Sequence, residues 1–188
     1  LVLEDEMKVR LKMVLILTLF ACISGGVLSM VYIISNPLIE ANMLEEQNRS
    51  IFLVVPEAKS YDEVKKEGVF YFDCKDAEGR TVGIALPAKG NGYQGIIRLM
   101  VGLTPDLGKI TGLAVLEQVE TPGLGGRIGE KEFQDQFKGV NTDPSVGWIK
   151  NKAPDKDTDI QAVTGATISS RSVVSIVNKS IQELKQVL

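Results

Sequence analysis

Histidine is absent from all 188 residues of the chain. Without an imidazole there is no His-based acid–base catalysis, no Ser-His-Asp hydrolysis and none of the commonest metal ligand. Cysteine occurs only as Cys22, within an apolar run, and Cys74, in the domain that follows. Neither has a C-x-x-C partner, which leaves no zinc or cluster framework and speaks against an intrachain disulfide. Beyond the apolar run there is no Lys/Arg tract, and the net charge is −3, so nucleic acid is not an expected partner. The G-x-x-x-x-G-K-S/T spacing of a nucleotide P-loop is missing, and no G-x-G-x-x-G opens a helix after the first strand. Nucleophile–base pairs and carboxylate dyads are also lacking, so the chain has no complete active site of its own. A cofactor has to carry any reaction, with the protein supplying orientation and tuning.

Charge is missing from one long stretch. Met13 to Ile34 contains no Asp, Glu, Lys or Arg, and as a helix its length of about 33 Å matches a bilayer's hydrocarbon core. The run exceeds the ~7–15 apolar residues of a signal peptide, and no A-x-A site ends it, so it reads as a retained single span. Lys8, Arg10 and Lys12 precede it, whereas the first basic residue afterwards is Arg49, beyond Glu40, Glu45 and Glu46. The positive-inside rule puts the N-terminus in the cytoplasm and everything after about Asn36 outside. Glu4, Asp5 and Glu6 do not reverse this, because acidic residues weigh little in the rule. The expected plan is a cytoplasmic segment 1–12, a transmembrane helix 13–34 in the lipid bilayer of the inner or plasma membrane, a connecting helix 35–57 and an extracytoplasmic domain 58–188.

Within that domain the apolar period is that of strands. Val69 to Lys75 and Thr81 to Leu86 flank a Gly-containing turn at Asp76–Gly79, and Ile96 to Leu103 and Lys109 to Val119 flank another at Thr104–Gly108. Four strands in a meander are predicted, with Tyr71, Phe72, Val82, Ile84, Ile97, Leu99, Val101, Leu113, Val115 and Val119 on one apolar face. Ala58 to Glu67 is polar and reads as a connection. Glu130 to Phe137 reads as a short helix with Phe133 and Phe137 in the core, and Gly139 to Thr158 as a loop whose Trp148 covers the core, stacking on an aromatic ligand being the alternative. Ile168 to Leu188 places Val173, Val174, Val177, Ile181, Leu184 and Leu188 on one helical face. The class is α+β: a single N-terminal transmembrane helix, then an antiparallel sheet with packed helices.

Two stretches suit an anionic cofactor. Thr164-Gly165-Ala166-Thr167 hands a β-branched run over to the last helix, followed by Ser169 and Ser170. A helix start offers unpaired N–H groups and the positive end of the macrodipole to a phosphate, and small residues let it approach. The same residues also make an ordinary capped helix start. Glu120-Thr121-Pro122-Gly123-Leu124-Gly125-Gly126 combines a hydroxyl, an apolar contact and glycine freedom to turn successive N–H groups into a concave site.

Thr164 to Ser169 resembles the S/T-G-A-T-x-S/T motif of the FMN-binding domain shared by the G subunit of the Rnf complex and the C subunit of sodium-pumping NADH:quinone reductase. Glu120 to Gly125 is similar to that family's E-T-P-G-L-G, and Gly92 to Gly95 to its G-Y-x-G. The resemblance implies one FMN per chain, joined through its phosphate to the Thr167 side-chain oxygen. It implies cofactor contacts from Glu120, Thr121, Gly123, Leu124, Thr164, Gly165, Ala166, Ser169 and Ser170. It further implies a flavin transferase that uses FAD as donor and releases AMP. The mature protein would relay electrons among membrane and peripheral subunits of an ion-pumping ferredoxin:NAD oxidoreductase, the short chain favouring the Rnf-type G subunit over the quinone-reductase C subunit. A flavin-free, membrane-anchored binding or scaffold protein of the same fold is the alternative.

Overall fold

The computed structural model describes residues 2–188, with side-chain environments from Glu6 onward. It divides into an N-terminal helical unit up to Glu45 and a domain, Glu46–Leu188. Helix α1 runs Val2–Val54, 53 residues with Pro37 inside it. The expected span 13–34 and most of the expected connecting helix 35–57 fall within α1. Across the proline, the Asn36 amide donates to the Glu40 carboxylate at 2.9 Å. In the first unit the apolar side chains are exposed, Leu28 by 72% and Phe20 by 64%, and the helix is long and apolar enough to cross a membrane.

The domain is built on a five-stranded antiparallel meander, β1 (Ser60–Lys66), β2 (Val69–Lys75), β3 (Thr81–Asn91), β4 (Ile96–Leu103) and β5 (Ile110–Glu117), paired in chain order. Strand β1 is the one missed from sequence. It is an edge strand whose Asp62, Glu63, Lys65 and Lys66 are exposed, charge that keeps an open edge from pairing with other chains and also hides its period. Glu67 and Gly68, both at positive φ, make the two-residue turn that joins it to β2.

Both faces of the sheet are buried, rather than the single face expected. Tyr71, Leu86, Leu99, Val101 and Leu113 pack on one side with Val173, Val177 and Ile181 of the C-terminal helix α3 (Thr167–Val187). Phe72, Ala85, Met100 and Ala114 pack on the other with Ile51, Val54 and Val55 from the end of α1. Tyr71 and Phe72 are consecutive in a strand and so must point to opposite faces. Val119 lies beyond β5 and Leu188 at the chain end, and both are more than half exposed, contrary to their predicted burial.

The α1 terminus sits on glycine. Gly102 and Gly112 are cross-strand partners, and a Cβ on Gly102 would stand 2.2 Å from the Val54 carbonyl oxygen. The Thr111 hydroxyl donates to that same oxygen at 2.6 Å, satisfying a carbonyl at the helix end. After β5 come a 3-10 turn (Gly125–Gly129), the short helix α2 (Lys131–Asp135) and a two-stranded parallel pair, β6 (Gly147–Ile149) with β7 (Asp159–Gln161). Phe133 and Phe137 are buried edge-to-face as expected, their centroids 5.5 Å apart. Trp148, on β6, remains 36% exposed and is not among the buried core residues.

Candidate functional site

Strand β7 leads through Ala162 and Val163 into α3, and the turn between them is made by Gly165 at φ +84°. Its positive φ is one that a side chain resists, and a Cβ there would lie 3.4 Å from Leu124. The Ala166 N–H donates to the Val163 carbonyl at 2.9 Å. Thr167 is the first residue of the 21-residue α3, and no side chain caps this end. The N–H groups of its first turn are thus unclaimed by a cap, which suits an anion.

The hydroxyls around this helix start have different fates. Ser170 has no exposed surface; its Oγ accepts from the Val163 N–H and donates to the Ala166 carbonyl, both at 3.0 Å. It holds the turn together from a buried position. Ser169 Oγ, also buried, donates to Glu120 Oε2 at 2.5 Å. Thr164 faces a smaller recess of about 160 Å³ shared with Arg127, Glu130 and Gln136. Thr167 is partly exposed and lines a cleft of about 340 Å³ with Tyr93, Thr121, Leu124, Lys150, Gly165, Ala166 and Ile168, and the buried Glu120, Gly125 and Ser169 border the same cleft.

The second motif supplies the opposite wall. The Leu124 and Gly126 N–H groups both donate to the Thr121 carbonyl, at 3.1 and 3.0 Å, closing a tight loop. Gly123 stands at its tip at φ +75°, with nothing within 4 Å of a Cβ, so its requirement is conformational rather than spatial. Gly123 is outside the cleft lining, whereas Gly125 is inside it. Glu120 is buried, and its carboxylate accepts from the Tyr93 and Gln94 N–H groups at 2.8 and 3.0 Å as well as from Ser169. Burial pushes its pKa up, but the Ser169 hydroxyl and the backbone N–H groups of Gln94, Tyr93 and Gly95 outweigh this and hold it below the ordinary value. It is an anion fully engaged by protein donors.

Lys150 carries no signal in the sequence. It follows β6 in what reads as a polar loop, and only the pairing of Ile149 with Gln161 brings it beside the start of α3. Two three-residue strands separated by a polar stretch carry no readable period. Cys74, by contrast, is far from this chemistry: it is buried under α1, and burial pushes its thiol up to about 11.

The cleft's size falls within the range of about 300–1,000 Å³ typical of small-ligand sites. An uncapped helix start, a lysine, a hydroxyl and an apolar rim of Leu124, Ile168 and Tyr93 fit a flavin bearing a phosphate, the Glu120 carboxylate in the same lining being bonded to protein donors.

A relative 33% identical over 89% of this chain and 88% of its own length is the G subunit of the proton-translocating ferredoxin:NAD(+) oxidoreductase complex of Clostridium ljungdahlii. The chain belongs to this G-subunit family. The corresponding G subunit of the ion-translocating oxidoreductase complex of Methanosarcina acetivorans is 29% identical over 90% of this chain and 92% of its own. Residues 92–182 match the family model described as the FMN-binding domain, a span that takes in Tyr93, both loops and most of α3. The C subunit of the Na(+)-translocating NADH-quinone reductase of Haemophilus ducreyi is 33% identical, but over 53% of this chain and 40% of its own length. Among solved structures, NqrC of Shewanella oneidensis superposes with a TM-score of 0.56 at 22% identity, covering 71% of this chain and 74% of that one. The fold is that of the FMN-binding domain, and the full-length matches favour the G-type over the C-type protein.

Proposed function

We propose that this chain is the flavin-carrying electron-transfer subunit of a membrane-bound, ion-translocating ferredoxin:NAD oxidoreductase. It holds one FMN as a phosphoester of Thr167 and works with the complex's other membrane and peripheral subunits. The observation that carries this reading is the contrast among hydroxyls. Among the three hydroxyls of the first turn of α3, Ser169 borders the cleft but is buried and bonded to Glu120 and Ser170 is buried within the turn, while Thr167 is partly exposed in the cleft at an uncapped helix start.

FMN, when bound, supplies one- and two-electron transfer that no side chain of this protein provides. The first-turn N–H groups of α3 and Lys150 would hold its phosphate, and Leu124, Ile168 and Tyr93 would border its ring. In maturation a separate transferase would use FAD. The bond from Thr167 Oγ1 to the flavin-bearing phosphorus forms, the pyrophosphate P–O bond breaks, AMP leaves, and the hydroxyl proton passes to a base of the transferase. Thr167 is then a tether, which suits an extracytoplasmic domain cut off from the cytoplasmic FMN pool.

The test is colour after denaturation. The full chain, produced with a flavin transferase, should give a fluorescent band that survives SDS. Colour lost on denaturation would contradict the covalent bond, and a chain colourless when native would favour the flavin-free binding or scaffold reading.

A further inference from the structure

Glu120 is the residue whose surroundings the cofactor reading leaves unexplained. A buried carboxylate beside a phosphate site repels the phosphate, so a direct contact with it is unfavourable. Its oxygens are instead spent on three donors in two segments of the domain: Oε1 takes the N–H groups of Tyr93 and Gln94, and Oε2 takes the Ser169 hydroxyl in the first turn of α3. Its own N–H donates to the Gln118 side chain at 2.7 Å, fixing the start of the loop that carries Leu124.

Glycine makes room for this carboxylate on both sides. A Cβ on Gly92 would stand 2.4 Å from Oε1, and one on Gly125 would stand 2.6 Å from Oε2. The residues that border the cleft from three directions, Tyr93, Leu124 and Thr167, are therefore each within two positions of a group bonded to Glu120 or of a glycine that accommodates it.

We infer that Glu120 is a positioning residue for flavin attachment: it fixes the start of α3 against the Tyr93 turn and the Leu124 loop, so that Thr167 is presented to the incoming phosphate. The inference rests on the reading of Thr167 as the tether. Buried hydrogen bonds to a charged acceptor are stronger than neutral ones, and leaving their donors unsatisfied costs more than the bonds contribute.

The experiment follows flavin-phosphate transfer from FAD to the full chain in detergent by intact mass, with hydrogen exchange read on the same samples. Glu120→Ala should lower kcat/KM for the chain as transferase substrate by at least about tenfold. The Tyr93 and Gln94 amides should exchange faster while those of Met100 and Ala114 stay protected. Glu120→Gln, which keeps the shape and an acceptor for the two N–H groups, should recover most of the rate. Glu120→Ala/Ser169→Ala should load no more slowly than Glu120→Ala alone, since the serine has already lost its partner. Wild-type loading in Glu120→Ala, additive losses in the double variant, or equal loss of protection at Met100 and Ala114 would overturn the positioning role. A wild-type chain that accepts no flavin-phosphate would overturn the Thr167 reading instead, and exchange at Tyr93 and Gln94 would still decide whether the clamp exists.

Discussion

Glu120 keeps its charge in a buried place, and stability should therefore depend on it below neutral pH. Its folded pKa lies below the ordinary value of 4.5. The stabilisation is present above the unfolded-state pKa and is lost as pH falls through the lowered folded one. Asp76, Asp106 and Asp135 are lowered too, so the wild-type acid limb has several contributors. The diagnostic is the difference: between pH 6 and pH 3 the melting temperature of Glu120→Gln should fall less steeply than that of the wild type. Parallel curves would mean that Glu120 titrates normally. Much of this site was legible residue by residue, because Thr167, Thr121, Leu124, Gly165 and Ala166 all meet at one cleft. Ser170 and Thr164 lie outside that cleft's lining, since hydroxyls two or three positions apart at a helix start point in different directions, and spacing alone does not say which are consumed by the turn itself.

At the level of elements, the domain depends on a helix end seated on bare backbone. Gly102→Val should push the α1 terminus off the sheet, since the added carbon meets the Val54 carbonyl at 2.2 Å. Overpacking of this kind costs about 1–3 kcal/mol. It should appear as a lower urea midpoint, with the Thr111 to Val54 bond lost; an unchanged midpoint would show that the helix end contributes nothing to domain stability. Strands β2 and β4 were readable to the residue because short β-branched and aromatic apolar runs end at flanking turns. Strand β1 was not, because its exposed charges mask the period, and β6 and β7 are too short to show one. The burial of both sheet faces was hidden for a similar reason. Its second cover comes from the last turns of α1, whose Ile51, Val54 and Val55 read equally well as part of a stalk.

For the molecule as a whole, the N-terminal unit carries a membrane-compatible helical segment, and the basic residues Lys8, Arg10 and Lys12 lie at its N-terminal side. The expected orientation puts the domain outside. Protease added to intact cells should digest the domain and spare an N-terminal tag; protection of the domain until the cells are opened would reverse the topology. The claim on which the rest turns is that flavin is joined at Thr167. Tandem mass spectrometry of the proteolytic peptide spanning Asp157 to Arg171, taken from chain produced with its transferase, tests it most directly. The flavin-phosphate mass should fall on Thr167 and vanish in Thr167→Val, with the domain still folded because one partly exposed hydroxyl at a helix start is worth only about 0.5–2 kcal/mol. The same mass on Thr164, Ser169 or Ser170, or no added mass at all, would contradict the account.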